Sequence, residues 1–151
     1  MVTGISEEIK KDFRNLVISR GDTHDLLSMT IKIRNGNKME LIMKHQIENT
    51  VSQLKDICDF NVTFTCAQHL WDISDEAELL DDVKADLFHL LTPKLIYITK
   101  MTRPDIEPDV SFFTTRVAKS NVDYWKKLRI CISYLNQTVD NVRVIGVFNI
   151  T

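Results

Sequence analysis

One group of three side chains could bind a metal ion. Cys58, Cys66 and His69 lie close together in the chain, whereas a zinc site needs four ligands, usually in two closely spaced pairs. The fourth ligand would have to be Cys131, which lies far along the chain inside a predicted helix. We therefore interpret the cysteines as buried or incidental reduced thiols of an intracellular protein, cytoplasmic or nuclear, and expect no metal site.

A second candidate for chemistry is the pair Asp81–Asp82. Nucleic-acid polymerases hold two magnesium ions with clustered carboxylates. This pair, however, follows a helical period inside the acidic run from Asp72 to Asp86, which contains one base, Lys84. We predict a solvated helix face here. The histidines and serines show no spacing typical of a nucleophilic triad, so we assign no catalytic residue.

The charges are unevenly distributed along the chain. The formal net charge is −2, but residues 1–93 contain 10 Lys and Arg against 16 Asp and Glu, and residues 94–151 contain 9 against 5. A polyanion would therefore meet the C-terminal part. Ordinary solvated helix faces explain the same charges, so nucleic-acid binding does not follow from charge alone.

Length and composition indicate how these residues are positioned. The 151 residues are 44% hydrophobic and 26% charged, with only 4 glycines and 3 prolines. These values predict one helix-rich globular unit rather than a turn-dense β-sandwich. No apolar run approaches the length of a membrane span, and no secretory signal is visible at the start, so we expect no membrane association.

The first half of the chain alternates between helical and strand periods. Residues 6–16 predict a helix capped by Ser6, and residues 26–43 predict a β-hairpin around the turn at 35–37, with strand alternation starting at Leu27. Residues 44–57 return to helical spacing. Residues 58–73 are irregular, and we expect an extended connector there.

The second half is predominantly helical. Ser74 is the predicted cap of a helix that kinks or breaks near Leu91–Thr92, because Pro93 lacks an amide proton. Further helices are predicted over 104–118, with Pro104 as the first residue, and over 122–137. Residues 142–148 predict a strand with no evident partner, as in a chain cut within a domain. The predicted fold class is α+β, a β-hairpin plus a mainly helical bundle and a terminal strand.

Several stretches resemble the copia-type retrotransposon polyprotein. Residues 94–106, KLIYITKMTRPDI, are similar to the family pattern A-K-L-L-Y-x-x-K-R-x-R-P-D-I. Residues 110–117 (VSFFTTRV) and 134–138 (YLNQT) continue the match to V-x-F-L-x-T-R-V and Y-L-x-G-T. Upstream, residues 20–29 (RGDTHDLLSM) resemble R-G-x-x-H-x-x-L-G-M. The resemblance covers residues 7–148, and its Arg-Pro-Asp-Ile block is specific.

The resemblance implies a piece of an RNA-directed DNA polymerase, a reverse transcriptase. Residues 1–45 would be the end of the palm with its hairpin near the primer terminus, 46–75 a thumb helix and irregular connector, 76–141 the helical thumb and link, and 142–151 the start of a truncated RNase H domain. The catalytic aspartates of both activities would lie outside this chain. The chain alone would then be non-catalytic and hold no cofactor, although the parent polymerase uses Mg²⁺.

The partners implied are a template–primer duplex and the missing palm, fingers and RNase H regions. The implied contacts to the duplex are sequence-independent and basic, with the acidic run facing away. The candidate nucleic-acid-binding residues are Lys94, Lys100, Arg103, Arg116, Lys119, Lys126, Lys127 and Arg129. For Arg103 and Asp105 we expect a structural role first, with Arg103 paired to Asp105 or to an upstream carbonyl.

The sequence departs from the family pattern at four positions. Ser28 and Gln137 replace glycines, Pro93 replaces a helix former, and Met101 replaces a common basic residue. These departures fit either a divergent lineage or drift in a copy without polymerase activity. The alternative to duplex binding is therefore a non-enzymatic helical interaction module, or an inert remnant of a degenerate retroelement.

Overall fold

An antiparallel sheet and four helices make up the described part of the chain. The computed structural model describes residues 8–9, 19–34, 38–55, 69–74 and 76–146. The elements in chain order are β1 (Thr23–Leu26), β2 (Met29–Arg34), β3 (Lys38–Ile42), α1 (Lys44–Ser52), α2 (Asp82–Met101), α3 (Glu107–Thr114), α4 (Val122–Gln137) and β4 (Arg143–Gly146). The predicted α+β class is confirmed.

The predicted hairpin is present as β2 and β3. These strands pair antiparallel, with Thr30 opposite Ile42 and Arg34 opposite Lys38. Met29 and Leu41 are buried on one face of the sheet. On the other face Arg34 forms an ion pair with Glu40 at 2.9 Å. The observed register places the apolar residues of both strands on the same face, and a shift by one residue would reverse the faces.

The predicted isolation of the terminal strand is wrong. The sheet has the order β1-β2-β3-β4, and β4 pairs antiparallel with β3. Met39 lies opposite Ile145 and Leu41 opposite Arg143. Residues 143–146 thus belong to the same sheet as the hairpin, although about a hundred residues separate them in sequence. Such non-local pairing depends on tertiary packing, which local periodicity does not report.

The strand predicted from Leu27 starts two residues later, at Met29. Leu27 and Ser28 instead form the tight turn between β1 and β2, with φ values of 50° and 64°. Positive φ at both central residues is the signature of mirror-image hairpin turns, in which glycine and asparagine are preferred. Ser28 therefore stands where the backbone itself favours the glycine of the family pattern.

We predict that Ser28→Gly stabilises the protein. A left-handed conformation costs a residue with a side chain about 1 kcal/mol, which glycine avoids, while glycine raises the entropy of the unfolded chain. The expected net gain in the free energy of unfolding is about 0.5 kcal/mol, measured by urea denaturation. Ser28→Ala, which keeps a Cβ, is the control and should give no gain. A loss in Ser28→Gly would contradict the turn geometry.

Two helices follow their predicted spacing closely. Helix α4 has the predicted bounds and buries the predicted residues Trp125, Leu128, Ile132 and Leu135. The Asn121 side chain caps it by accepting from the amide of Tyr124 at 2.9 Å. Helix α1 is shorter than the predicted 44–57, although its apolar stripe continues into the buried Leu54.

Helix α2 differs from its prediction at its start. Asp81, not Ser74, is the cap, and its carboxylate accepts from the Lys84 amide at 2.9 Å. Residues 72–74 and 76–80 instead form an irregular segment, where Leu79 forms an isolated bridge with Asn121. Both Ser74 and Asp81 are suitable cap types, and the backbone bonds of this segment to the loop before α4 favour the later one.

Of the predicted kink or break near Leu91–Thr92, the break is absent. Helix α2 continues through Pro93 to Met101. Leu91, Leu95 and Ile98 are all fully buried on the two sides of the proline. Thr92 donates its hydroxyl to the Phe88 carbonyl at 2.8 Å. Burial along the whole length of the helix outweighs the local penalty of the missing amide.

The segment predicted as one helix over 104–118 is divided in three. Pro104 is the first residue, as predicted, but it opens a short 3₁₀ turn, Pro104–Ile106, that leads into α3. A second 3₁₀ turn, Val117–Lys119, follows. Phe113 of α3 packs edge-to-face on Phe88 of α2, with centroids 5.8 Å apart, and both rings are fully buried. This contact fixes α3 on α2.

Some predictions fall outside the described residues. They concern the helix over 6–16 apart from residues 8–9, which are helical, the turn at 35–37, the connector up to residue 68 with Cys58 and Cys66, and the end of the strand at 147–148. Cys131 is described and is buried in the core. Within the described ranges, no helix has both the length and the apolar character that crossing a bilayer requires.

Candidate nucleic-acid interface

The eight candidate basic residues differ widely in exposure and partners. Arg103 and Lys127 are buried, with 2% and 7% of their surface exposed. Lys94, Arg116 and Arg129 are half-buried, and Lys100, Lys119 and Lys126 are exposed. The structure thus does not present them as one continuous basic face, and each group has to be considered by its contacts.

Arg103 is the centre of a hydrogen-bond network. Its Nε donates to the two Asp105 carboxylate oxygens at 3.0 and 3.2 Å, and its Nη2 donates to Asp105 Oδ2 at 2.7 Å. It also reaches the end of α4, where Nη1 donates to the Thr138 carbonyl at 3.0 Å and Nη2 to the Thr138 hydroxyl at 2.6 Å. The predicted pairing with Asp105 is confirmed, but the carbonyl is a downstream one.

Tyr134 completes this network. Its hydroxyl donates to Asp105 Oδ2 at 2.9 Å, and the Arg103 guanidinium lies 5.3 Å from the centre of its ring. Two stretches that carry the family resemblance, the Arg-Pro-Asp-Ile block and residues 134–138, therefore meet in space. Fork-shaped donation to both a carboxylate and a carbonyl is specific to arginine, since lysine lacks the planar geometry.

Charge pairing outweighs burial at both ends of this contact. Burial disfavours the charged guanidinium, but the hydrogen bonds and charge of Asp105 more than offset this, so the pKa of Arg103 is raised. Burial likewise opposes ionisation of Asp105. The Arg103 hydrogen bonds and charge, with a smaller contribution from Tyr134, nevertheless lower the pKa of that carboxyl. Both groups are charged at neutral pH.

The lowered pKa of Asp105 predicts a pH-dependent contribution to stability. A carboxyl with a depressed pKa in the folded state stabilises the protein above its unfolded-state pKa of about 3.9. That stability disappears as the pH falls through the folded-state value. Wild type should therefore exceed Asp105→Asn in free energy of unfolding by a constant margin from about pH 5 to 7, shrinking below about pH 4. Urea denaturation at each pH measures the margin, and one that widens below pH 4 would contradict the assignment.

Arg116 and Lys127 surround the buried ring of Phe112. The Arg116 guanidinium lies 3.7 Å from the centre of that ring, and Lys127 Nζ lies 5.7 Å from it. Lys127 Nζ also forms an ion pair with Asp123 and donates to the Asp72 carbonyl at 2.6 Å. Both cations therefore help to hold α3 and α4 together, and Lys127 also joins α4 to the segment that contains Asp72. The structure does not place Lys127 at an open surface.

The two lysines of α2 have partners nearer the surface. Lys94 Nζ donates to the Gln53 side chain at 2.8 Å, which joins α2 to the turn after α1. Lys100 forms an exposed ion pair with Glu107 at the start of α3. Exposed pairs of this kind are weak and exchange partners readily. Lys100 therefore remains accessible to a phosphate, whereas the Lys94 ammonium is bonded to Gln53 and is half-buried.

Lys119 and Lys126 flank the start of α4 and are exposed to solvent. The acidic segment lies beside them rather than on the far side of the molecule, because Leu80 N donates to the Ser120 carbonyl at 3.1 Å and Val122 N to the Glu78 carbonyl at 2.9 Å. The acidic run was expected to face away from the basic residues, but the backbone of its residues 78–80 lies next to residues 120–122. Asp81 and Asp82 are exposed, as predicted, and Asp81 pairs with Lys84 at 2.6 Å.

Sequence reasoning missed three residues around this network. Tyr134 and Thr138 belong to the stretch 134–138 that resembles the family, but no role was predicted for either of them. Their place in that stretch was the signal that could have linked them to Arg103. Arg143 gave no signal in the sequence. Its Nη1 donates at 3.2 Å to the carbonyls of Lys100 and Met101, at the end of α2. Within the described residues no group of three or more His, Cys, Asp or Glu is placed to hold a metal ion.

The chain matches no family model, no curated protein and no solved structure.

Proposed function

We propose that this chain is the template–primer-gripping region of a copia-type RNA-directed DNA polymerase, without that enzyme's catalytic aspartates. One observation carries the proposal: stretches that resemble the family contact one another. The Tyr97 hydroxyl donates to the Leu27 carbonyl, and Arg103 binds the Thr138 carbonyl and hydroxyl. These contacts join the hairpin, α2 and α4 into one unit.

The backbone at Ser28 supports the same proposal independently. The family pattern has glycine there, and the φ of 64° is one in which glycine is strongly preferred. A pattern unrelated to this fold would have no reason to require glycine at a left-handed position. The short turn it forms is held by Tyr97, which belongs to the 94–106 stretch of the resemblance.

Binding would use the exposed cations rather than the buried ones. Lys119 and Lys126 carry the contact to phosphates, with Lys100 available from its ion pair with Glu107. Arg103, Arg116 and Lys127 fix the helices that present them. With so few accessible cations the interaction is weak, sequence-independent and sensitive to salt. Catalysis is not expected, because Asp81 caps α2 and pairs with Lys84.

Charge reversal at Lys126 tests this proposal. Lys126→Glu should weaken binding to RNA–DNA hybrids of different sequence alike. Each lost phosphate contact should reduce the slope of log K against log salt by about 0.9. Fluorescence anisotropy over a salt series measures both quantities. Lys55→Glu makes the same charge change at another exposed lysine, outside residues 94–129, and is the matched control.

A larger effect in Lys126→Glu than in Lys55→Glu supports the proposal. Equal effects in the two variants would mean that only net charge matters. Lys127→Glu should instead unfold or strongly destabilise the chain, since this ammonium is buried against Asp123 and the Asp72 carbonyl. Circular dichroism separates that structural loss from a loss of binding.

A second candidate function is a non-enzymatic helical interaction module. It is favoured by exposed apolar residues near the start of α2, where Val83 and Leu90 are 68% and 50% exposed and lie seven residues apart, on one face of the helix. Leu79, just before the helix, is 71% exposed. Absence of duplex binding by the wild-type chain at about 50 mM salt would favour this second candidate.

A further inference from the structure

The first half of α2 carries an apolar stripe that is largely open to solvent. Val83 and Leu90 are 68% and 50% exposed, and Leu87, which lies between them in the helical period, is half-buried. Residues three, four and seven positions apart are neighbours on one side of a helix, so these three side chains form one surface. We call the surface of Val83, Leu87 and Leu90 the α2 face.

The α2 face is not the side of the helix that packs on the core. Phe88, Leu91 and Leu95 are fully buried, and at 3.6 residues per turn they point about a third of a turn away from the α2 face. A helix of a globular protein normally carries polar residues on its exposed side. Adjacent large apolar side chains in that position indicate a surface that binds another molecule.

Acidic side chains border the α2 face. Asp86 follows Val83 by three residues and is therefore its neighbour on the helix surface, and Asp82 lies one turn before Asp86 on the same side. Both carboxylates are exposed, and neither forms an ion pair with a described residue. Lys84 is the one basic residue of the acidic run, and it is paired with Asp81. The border of the α2 face is therefore negative.

The same combination continues in the segment before the helix. Leu79 is 71% exposed, and Glu76 and Glu78 are exposed as well. Backbone hydrogen bonds to the loop before α4 fix this segment in place. Among the described residues no ion pair joins either glutamate to Lys119 or Lys126, the exposed lysines beside that loop. An apolar surface with uncompensated carboxylates thus extends from residue 76 to residue 90.

Charge determines what this surface binds. Nucleic-acid backbones and anionic membranes carry negative charge, which these carboxylates repel. A second copy that presented the same face would place Asp82 and Asp86 close to their own equivalents, and like charges facing each other are unfavourable. A partner with basic residues converts the same carboxylates into an attraction. Apolar positions flanked by such residues are typical of an amphipathic helix that lies along another protein's surface.

We propose that the α2 face binds an amphipathic helix of another protein. Apolar side chains of that helix pack on Val83, Leu87 and Leu90, and its lysines or arginines pair with Asp82 and Asp86. Because Asp82 and Asp86 are four residues apart, basic residues spaced four apart on the partner match them. This contact goes beyond the proposed duplex contact and does not depend on it, and it specifies a partner for the second candidate function.

A synthetic peptide tests the proposal with the full chain. The probe is a fluorescein-labelled peptide of about 18 residues, long enough to form a helix, with leucines along one side and lysines flanking them. One control peptide has glutamate in place of every lysine, and a second has the probe's residues in an order without helical period. Fluorescence anisotropy at about 50 mM salt should show saturable binding of the lysine peptide alone, weakening at about 500 mM salt.

Matched variants place the binding on the α2 face. Val83→Gln should weaken it about tenfold, because apolar area at the contact is lost. Val144→Gln makes the same change in β4, where the valine is 58% exposed, and should have no effect. Asp86→Lys should weaken binding about fivefold at low salt and less at high salt. Glu48→Lys, at an exposed position of α1, is its control and should leave binding unchanged.

These side chains are exposed, so each variant should keep the circular dichroism spectrum of the wild type. Equal binding of the lysine and glutamate peptides, or equal effects of Val83→Gln and Val144→Gln, would overturn the proposal. A wild-type dimer that Val83→Gln dissociates in sedimentation would assign the α2 face to a second copy instead. Failure here is distinguishable from failure of the proposed function, because Lys126→Glu leaves the α2 face intact and Val83→Gln leaves the exposed lysines intact.

Discussion

Replacing Arg103 with alanine should lower the free energy of unfolding by about 3 kcal/mol, at the lower end of the range for breaking a buried ion pair. The Arg103 side chain is 2% exposed, and its removal leaves the Thr138 carbonyl and the Asp105 carboxylate without their main donor. Asp105 is 38% exposed, so water recovers part of the loss. Urea denaturation monitored by circular dichroism measures the change.

Arg103→Lys is the matched control for this result. It keeps the positive charge but cannot donate to Asp105 and Thr138 at once, so an intermediate loss of stability is expected. The structural assignment fails if Arg103→Ala unfolds at the wild-type urea concentration while duplex binding collapses. In that case Arg103 would act on a phosphate directly, and the contacts around it would be secondary.

Replacing Pro93 with alanine should stabilise the protein by about 2 kcal/mol. Proline inside a helix costs about 3 kcal/mol relative to alanine, while its restriction of the unfolded chain offsets about 0.4–1 kcal/mol. Pro93 is exposed, so alanine at this position opens no cavity in the core. The restored amide can donate to the carbonyl four residues earlier, and α2 then gains its missing hydrogen bond.

The midpoint of urea denaturation measures this gain at a constant m-value. Lys94→Ala, next along the helix, is the comparison, because it changes propensity little and removes the contact to Gln53. A decrease in stability for Pro93→Ala would mean that the buried residues on the two sides of the proline require the helix shape that it imposes.

The elements that could be predicted from sequence are those whose signals are local. Helix α4 was predicted from its unbroken apolar period, and it has the predicted bounds in the structure. The β2–β3 hairpin follows from strict alternation. Leu27 and Ser28 continue that alternation although they form a turn, so period alone placed the strand start too early.

The features that could not be predicted depend on contacts between distant parts of the chain. Pairing of β4 with β3 and continuation of α2 through Pro93 both result from tertiary packing. At the candidate site, the contact between Arg103 and Asp105 is local and was predicted. The hydrogen bonds from Lys127 to the Asp72 carbonyl and from Arg103 to Thr138 join residues that are far apart in sequence. Residue type alone therefore overstated the number of cations open to phosphate.

The most direct measurement is equilibrium binding of the wild-type chain to a labelled RNA–DNA hybrid at several salt concentrations. The proposed function predicts a dissociation constant of about 10⁻⁴–10⁻⁶ M at physiological salt, tighter at about 50 mM salt and independent of sequence. With Lys119 and Lys126 as the main contacts, the slope of log K against log salt should be about −2. No binding at about 50 mM salt with the chain at about 10⁻⁴ M, or affinity that does not change with salt, would contradict the account.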